Sequence, residues 1–187
     1  MYKLLVHSAF DDQGWLQSAC RVESPNFDDR PAGISAEVLI IHSISLPPGK
    51  FSGPGVEQLF TNSLNPADDP YYHQLGGLKV SSHFFIRRDG ELVQFVSTQK
   101  RAWHCGLSYC LGKTGVNDFS IGVELEGLDN SCFKDVQYQT LLSLTKSLQR
   151  LYPSIANKNI FGHQHISPGR KADPGCGFDW YYYLSSL

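Results

Sequence analysis

The chain has 187 residues, with 16 basic and 18 acidic side chains giving a formal charge of −2, and 41% of its residues are hydrophobic. That length and composition suit one folded domain with a buried core and exclude intrinsic disorder. The near-neutral balance excludes a protein built around a basic nucleic-acid-binding face, and no run approaches the roughly 18 apolar residues of a membrane span.

The N-terminal Met1 to Val6 begins like an export signal, but His7, Ser8 and then Asp11-Asp12 cut its apolar region short. Five cysteines, at 20, 105, 110, 132 and 176, form an odd set without a C-x-x-C pair. Such usage fits a reducing compartment better than a disulfide framework, so a cytoplasmic location is expected.

Residues 1–35 read as a loop-rich entry, with turn formers concentrated in Ser24 to Pro31. The apolar run at Glu37 to Ser45 predicts a strand buried on both faces, stopped by Pro47-Pro48-Gly49. Val56, Leu59 and Phe60 have helical spacing, and 64–77 reads as a polar loop. Val80 to Ile86 and Leu92 to Val96 flank Arg88-Asp89-Gly90, a hairpin signal.

A strand is expected at Arg101 to Cys105, a loop at 107–118 and a central strand at Ser120 to Glu126. Val136, Leu141, Leu142, Thr145, Leu148, Leu151 and Tyr152 mark one face of a long helix, with Asp135 in its first turn and Pro153 beyond its end. A Gly- and Pro-rich segment, 162–177, precedes a short terminal helix around Asp179 to Leu184. No regular βαβ alternation appears. The fold class expected is α/β (α+β): a single domain, 1–187, with a mixed central β-sheet flanked by helices.

Three places hold polar residues that a core does not ask for. His42 ends the run Val38-Leu39-Ile40-Ile41, and the loop 162–175 carries His163, His165, Lys171 and Asp173. Glu124 lies between Val123 and Leu125 in a strand expected to be buried, where an unpaired charge is costly. Two imidazoles and a carboxylate can hold zinc with one position open for water. A second carboxylate can take the proton of that water and a lysine can steady an oxyanion. Spacing alone does not choose among the histidines; His7, His73, His83 and His104 also qualify.

The segments VLIIHSISLPPGKFSGP (38–54), VSSHFFIRRDGELVQFV (80–96), RAWHCG (101–106), NDFSIGVELEG (117–127) and GHQHISPGRKADPG (162–175) occur in this order. Together they resemble the zinc-dependent N-acetylmuramoyl-L-alanine amidases of the type-2 amidase and peptidoglycan-recognition superfamily. The similarity is greatest to its cytoplasmic members that act on 1,6-anhydro-muropeptides.

The resemblance implies one Zn2+ per chain, bound by His42, His163 and Asp173. It implies Glu124 as catalytic acid/base and Lys171, two residues before the ligand aspartate, as a second catalytic group. It makes Tyr71 of Pro70-Tyr71 a candidate for activity, with Tyr72 the adjacent alternative. Trp103 reads as core or as a platform for a sugar ring, while His83 and His104 read as walls or supports of the cleft. His165 and Cys176 are rival ligands by chemistry, and Glu126 reads as facing away or as a support.

Three positions depart from the family pattern. Ser43 stands where asparagine is frequent, Cys176 where proline is common, and 107–116 lacks an arginine that Lys113 is the candidate to replace. The expected reaction is hydrolysis of the amide between the lactyl group of (anhydro-)N-acetylmuramic acid and L-alanine, in recycling of cell-wall muropeptides. The expected partner is therefore a small muropeptide, without nucleic acid, membrane or an obligate protein partner. An autolysin or phage-type enzyme acting on polymeric peptidoglycan and a non-catalytic recognition module stand as alternatives.

Overall fold

The computed structural model describes residues 9–187. The apolar start Met1 to Val6 and the candidate His7 lie outside the described residues. In chain order the strands and helices are β1 (Cys20–Arg21), β2 (Phe27–Asp29), β3 (Val38–Ile44), α1 (Gly55–Phe60), β4 (Phe84–Ile86), β5 (Leu92–Gln94) and β6 (Lys100–Ala102). There follow β7 (Tyr109–Cys110), β8 (Lys113–Thr114), β9 (Ser120–Glu126), α2 (Asp135–Leu151), β10 (Ile160–Gly162), α3 (His163–Ile166) and α4 (Trp180–Ser185). Short 3-10 turns cover Pro70–Leu75, Val116–Phe119 and Asn157–Asn159.

Six strands form one mixed sheet in the order β1-β5-β4-β9-β3-β10. Only the β4–β5 pair in it is antiparallel. That pair is the expected hairpin. Gly90 holds a φ of +87°, and its N–H reaches the Arg87 carbonyl at 2.9 Å. Asp89 Oδ1 accepts from the Glu91 N–H at 3.0 Å, so both Asp and Gly have a local task.

The sheet is covered on both faces, which is why β3 opens on four consecutive apolar residues and β9 is buried along its length. On one face Leu39, Ile41, Ile121, Val123 and Leu125 pack against Tyr138, Leu141, Leu144 and Leu148 of α2 and Tyr183 of α4. Each such side chain contributes about 1.5–3 kcal/mol on burial. The other face splits into two clusters. Phe85, Val93 and Phe95 meet Val56, Leu59 and Phe60 of α1, while Val38 and Ile40 meet Cys105, Val116, Phe119 and Ile166. Between these clusters the sheet face is open, and the polar residues of β3 and β9 sit there.

Several expectations change in detail. The helical face of α2 is rotated: Val136 and Leu151 are 36% and 42% exposed, while Gln137 is fully buried. Gln137 turns inward because its amide ties the helix to the sheet, donating to Ile86 O at 3.2 Å and Glu126 O at 3.0 Å. The strand expected at 101–105 is Lys100–Ala102 and pairs antiparallel with β2, outside the main sheet. The stretch 107–118 is no plain loop but a β7–β8 ribbon and a 3-10 turn. The edge strand β10 and the turn α3 fall where only a Gly- and Pro-rich segment and its approach were read. Three residues supply too little periodicity to signal a strand.

Candidate active site

Register builds the site. β3 and β9 are parallel neighbours in which His42 pairs with Glu124, so both side chains leave the sheet on the same open face. β10 lies on the other side of β3 with Gly162 opposite Ile41. His163 follows immediately as the first residue of α3 and arrives level with His42. Three adjacent parallel strands thus deliver their polar groups beside one another near their C-terminal ends, where ligands bind in open α/β sheets.

Asp173 comes from the loop after α3, held by the Gln164 N–H donating to its carbonyl at 2.9 Å. The loop is locked at Gly175, where a Cβ would stand 2.0 Å from the Asp129 carbonyl oxygen and φ is +78°. Only glycine allows both the approach and the backbone angle.

Three donor atoms converge. His42 Nδ1 lies 2.9 Å from Asp173 Oδ2 and 3.1 Å from His163 Nδ1, and His163 Nδ1 lies 3.1 Å from the same Oδ2. His163 Nε2 is 3.0 Å from the Cys105 carbonyl, which can only accept, and 3.3 Å from the Arg170 guanidinium, which can only donate; the shorter contact assigns the ring proton to Nε2 and leaves Nδ1 bare. The His163 Nδ1 and Asp173 Oδ2 lone pairs therefore face each other at contact distance. A cation between them resolves that repulsion, and two imidazoles with one carboxylate are the donor set of an open, catalytic zinc site.

Charge shifts follow the geometry. Burial holds the His42 imidazole neutral, below its usual range, against the pull of Asp173. Glu124 moves the other way: burial first, then the Asp173 charge, pushes it well up, partly offset by Lys171. Its Oε2 is buried without a hydrogen-bond partner among the described residues.

A cleft of about 550 Å3 opens over these groups and is lined also by Lys171, Trp103, Tyr71 and Arg170. Tyr71 is the tyrosine at the cleft, whereas Tyr72 is buried in the cluster beneath α1. Lys113 has its partners elsewhere. It lies outside the cleft lining, on the ribbon, where Glu37 holds its ammonium at 2.7 Å and 3.0 Å and the Phe119 ring lies 4.8 Å below it.

The rival ligands have other partners. His165 Nδ1 accepts from the Gly162 N–H at 2.9 Å. His83 is buried, with Nδ1 accepting from Gly122 N at 3.0 Å and Nε2 donating to Lys100 O at 3.0 Å. His73 is exposed on the 3-10 turn, and Cys176 is exposed with its thiol 3.8 Å from the Asp129 carbonyl. Glu126 shares the Glu124 face but accepts from the backbone N–H groups of Ser52 and Arg88.

His42, His104 and Cys105 form a second close group of donors. Burial pushes the Cys105 thiol well above its usual range, and its Sγ lies 3.1 Å from His104 Nδ1. Arg170 went unread in the sequence. Its guanidinium donates to Leu107 O and Ser167 Oγ, and to the same Cys105 carbonyl that orients His163. Nothing but its place beside Lys171 could have flagged it.

The family model described as N-acetylmuramoyl-L-alanine amidase matches residues 33–176. The chain belongs to the N-acetylmuramoyl-L-alanine amidase family. It is 51% identical over 169 residues to the 1,6-anhydro-N-acetylmuramyl-L-alanine amidase AmpD of Citrobacter freundii, covering 90% of each chain. A crystal structure of a selenomethionine AmpD derivative is similar at a TM-score of 0.92 and 48% identity, over 96% of this chain and 99% of that one. A complex of the Escherichia coli amidase AmiD with anhydro-N-acetylmuramic acid-L-Ala-D-γ-Glu-L-Lys is similar at a TM-score of 0.59 and 26% identity, over 86% of this chain and 65% of that one. Among the described residues of this amidase no helix is long and apolar enough to cross a membrane.

Proposed function

We propose that the chain hydrolyses the amide joining the lactyl carbonyl of 1,6-anhydro-N-acetylmuramic acid to the L-alanine of a stem peptide, in muropeptide recycling. The observation that carries this reading is the convergence of His42 Nδ1, His163 Nδ1 and Asp173 Oδ2 beside the unpartnered Glu124 Oε2. The names of the similar proteins supply the substrate class. The domain is taken as 1–187, and the described part of its loop-rich N-terminal segment, 9–35, packs on the rest through residues such as Leu16.

His42, His163 and Asp173 would hold one zinc, and the chemistry a bound zinc supplies is polarisation of the scissile carbonyl and acidification of water. Glu124 Oε2 accepts a proton from the attacking water and later returns it to the departing alanine nitrogen. Its raised proton affinity suits both halves of that shuttle. The Lys171 ammonium faces the charge that develops on the carbonyl oxygen. Trp103 and Tyr71 give flat walls that suit the sugar ring and the peptide. All five cysteines are free, which supports action in the reducing cytoplasm on a soluble fragment.

The test is incubation of the purified protein with anhydro-muropeptide and, separately, with intact sacculi, with products identified by mass. Release of the free stem peptide from the fragment well ahead of the sacculi is the expected result. Equal or faster release from sacculi gives the activity to an enzyme of the polymeric wall.

A further inference from the structure

His42 uses one ring nitrogen in the converging triad and leaves the other to be explained. That atom, Nε2, lies 2.9 Å from His104 Nδ1. The two rings meet edge to face at 5.1 Å between centroids. His104 in turn reaches Ser120 Oγ with its Nε2 at 3.1 Å. The Cys105 Sγ lies 3.1 Å from His104 Nδ1, where its S–H can donate. A tautomer with His104 Nδ1 bare and Nε2 donating to Ser120 satisfies all three contacts. A bare Nδ1 requires the proton of His42 on Nε2. The His42 Nδ1 lone pair is then free and aimed at Asp173 and His163.

The backbone has been cleared for this ring. Gly122 sits inside β9, where glycine weakens a strand and marks a close approach. A Cβ there would lie 2.5 Å from His104 Nδ1 and 2.7 Å from Cε1 and Cγ. The sequence gives up a side chain in a central buried strand at the one position that His104 covers.

We propose that His104 is a positioning residue that fixes the tautomer and orientation of His42 for metal binding, and that residue 122 is glycine to seat it. The proposal rests on the reading of His42, His163 and Asp173 as the ligands. His104 also lines the cleft, and among the described contacts it meets the proposed ligands through His42. Partners of this kind on a ligand histidine are worth roughly 10- to 100-fold in metal affinity.

Chelator-stripped protein is titrated with zinc against a chromogenic competitor, with the unfolding temperature of each metal-free variant recorded alongside. The wild type is expected to bind one zinc, and Asp173→Ala to lose it. If the wild type binds none, or Asp173→Ala binds as well as the wild type, the ligand set is wrong and the role of His104 falls with it. With the ligand set upheld, His104→Ala should weaken zinc by about 10- to 100-fold. His104→Gln, whose Oε1 can still accept from His42, should recover most of the loss. Gly122→Ala, which keeps the imidazole but displaces it, should weaken zinc as His104→Ala does. Wild-type affinity in His104→Ala overturns the proposal. So does an equal loss in the Gln and Ala variants that tracks a shared fall in unfolding temperature, since packing would then be the whole role.

Discussion

His42 and Glu124 are direct partners across the parallel strands β3 and β9, side by side on the one sheet face left open between two apolar clusters. The pairing places a group fit to hold a metal next to a group fit to move a proton, and it does so with rigid strands rather than with loops. The two side chains have opposite electrostatic fates. Burial keeps the imidazole neutral and a ready ligand, while the same burial raises the carboxyl and readies it as a base.

The two roles separate by mutation. Glu124→Gln is expected to keep one zinc per chain and to lose roughly 10²- to 10⁴-fold in turnover, the usual worth of general acid/base help. Asp173→Ala is expected to lose the metal itself. Elemental analysis beside a rate measurement checks both, and metal loss in Glu124→Gln would mean that base and ligand have been confused.

Lys171→Ala is expected to lower kcat more than it raises KM, because a charge that faces the developing oxyanion acts on the transition state. Steady-state kinetics on an anhydro-muramyl peptide decide this. A change confined to KM reassigns the lysine to substrate binding.

Lys113→Ala is expected to leave both constants within about twofold, since its ammonium is spent on Glu37 away from the cleft. Trp103→Ala, which strips a cleft wall, is expected to raise KM. The reverse ranking would show that the ribbon reaches the substrate.

Acid should destabilise the metal-free protein early. Burial, then the Arg30 charge, pushes the His83 imidazole down to about 3. Between the ordinary histidine value of about 6.5 and that value, the unfolded chain binds a proton that the native chain refuses. Stability from this group is complete above about 6.5 and falls with decreasing pH at about 1.4 kcal/mol per unit. Urea unfolding at pH 7 and pH 5.5 reads the slope; a flat profile contradicts it.

Thiol chemistry should divide the cysteines. Cys20, Cys132 and Cys176 are exposed, whereas Cys105 and Cys110 are buried with their thiols pushed upward by that burial. Native protein is expected to react rapidly at three positions and at all five after unfolding, as counted by intact mass. Fast labelling of Cys105 in the native state would contradict its burial.

What the residues reveal by themselves depends on how local the cause is. β3 is legible because burial on both faces leaves an unbroken apolar run, and the hairpin because Asp89-Gly90 demands a turn. The candidate ligands His42, His163 and Asp173 and the candidate base Glu124 stand out as polar groups in apolar or Pro-stiffened surroundings, and only family resemblance singles them out from the other histidines. The face of α2 was misjudged at Val136 because hydropathy cannot foresee that the Gln137 amide caps strand ends. The pairing of Lys113 with Glu37 is not legible because the two are distant in the chain, nor is the place of Arg170, because backbone carbonyls carry no sequence signature.

The Cys105 carbonyl that orients His163 and receives Arg170 belongs to the main chain, so replacing that side chain leaves the hydrogen bond available. The amino acid at 105 can therefore drift through other small, apolar types over evolutionary time without erasing the instruction it gives to the histidine. A comparison of sequences that scores only side-chain identity would pass over this anchor. The path of the backbone through 104–107 is what inheritance must preserve, and insertions there should be purged more stringently than substitutions.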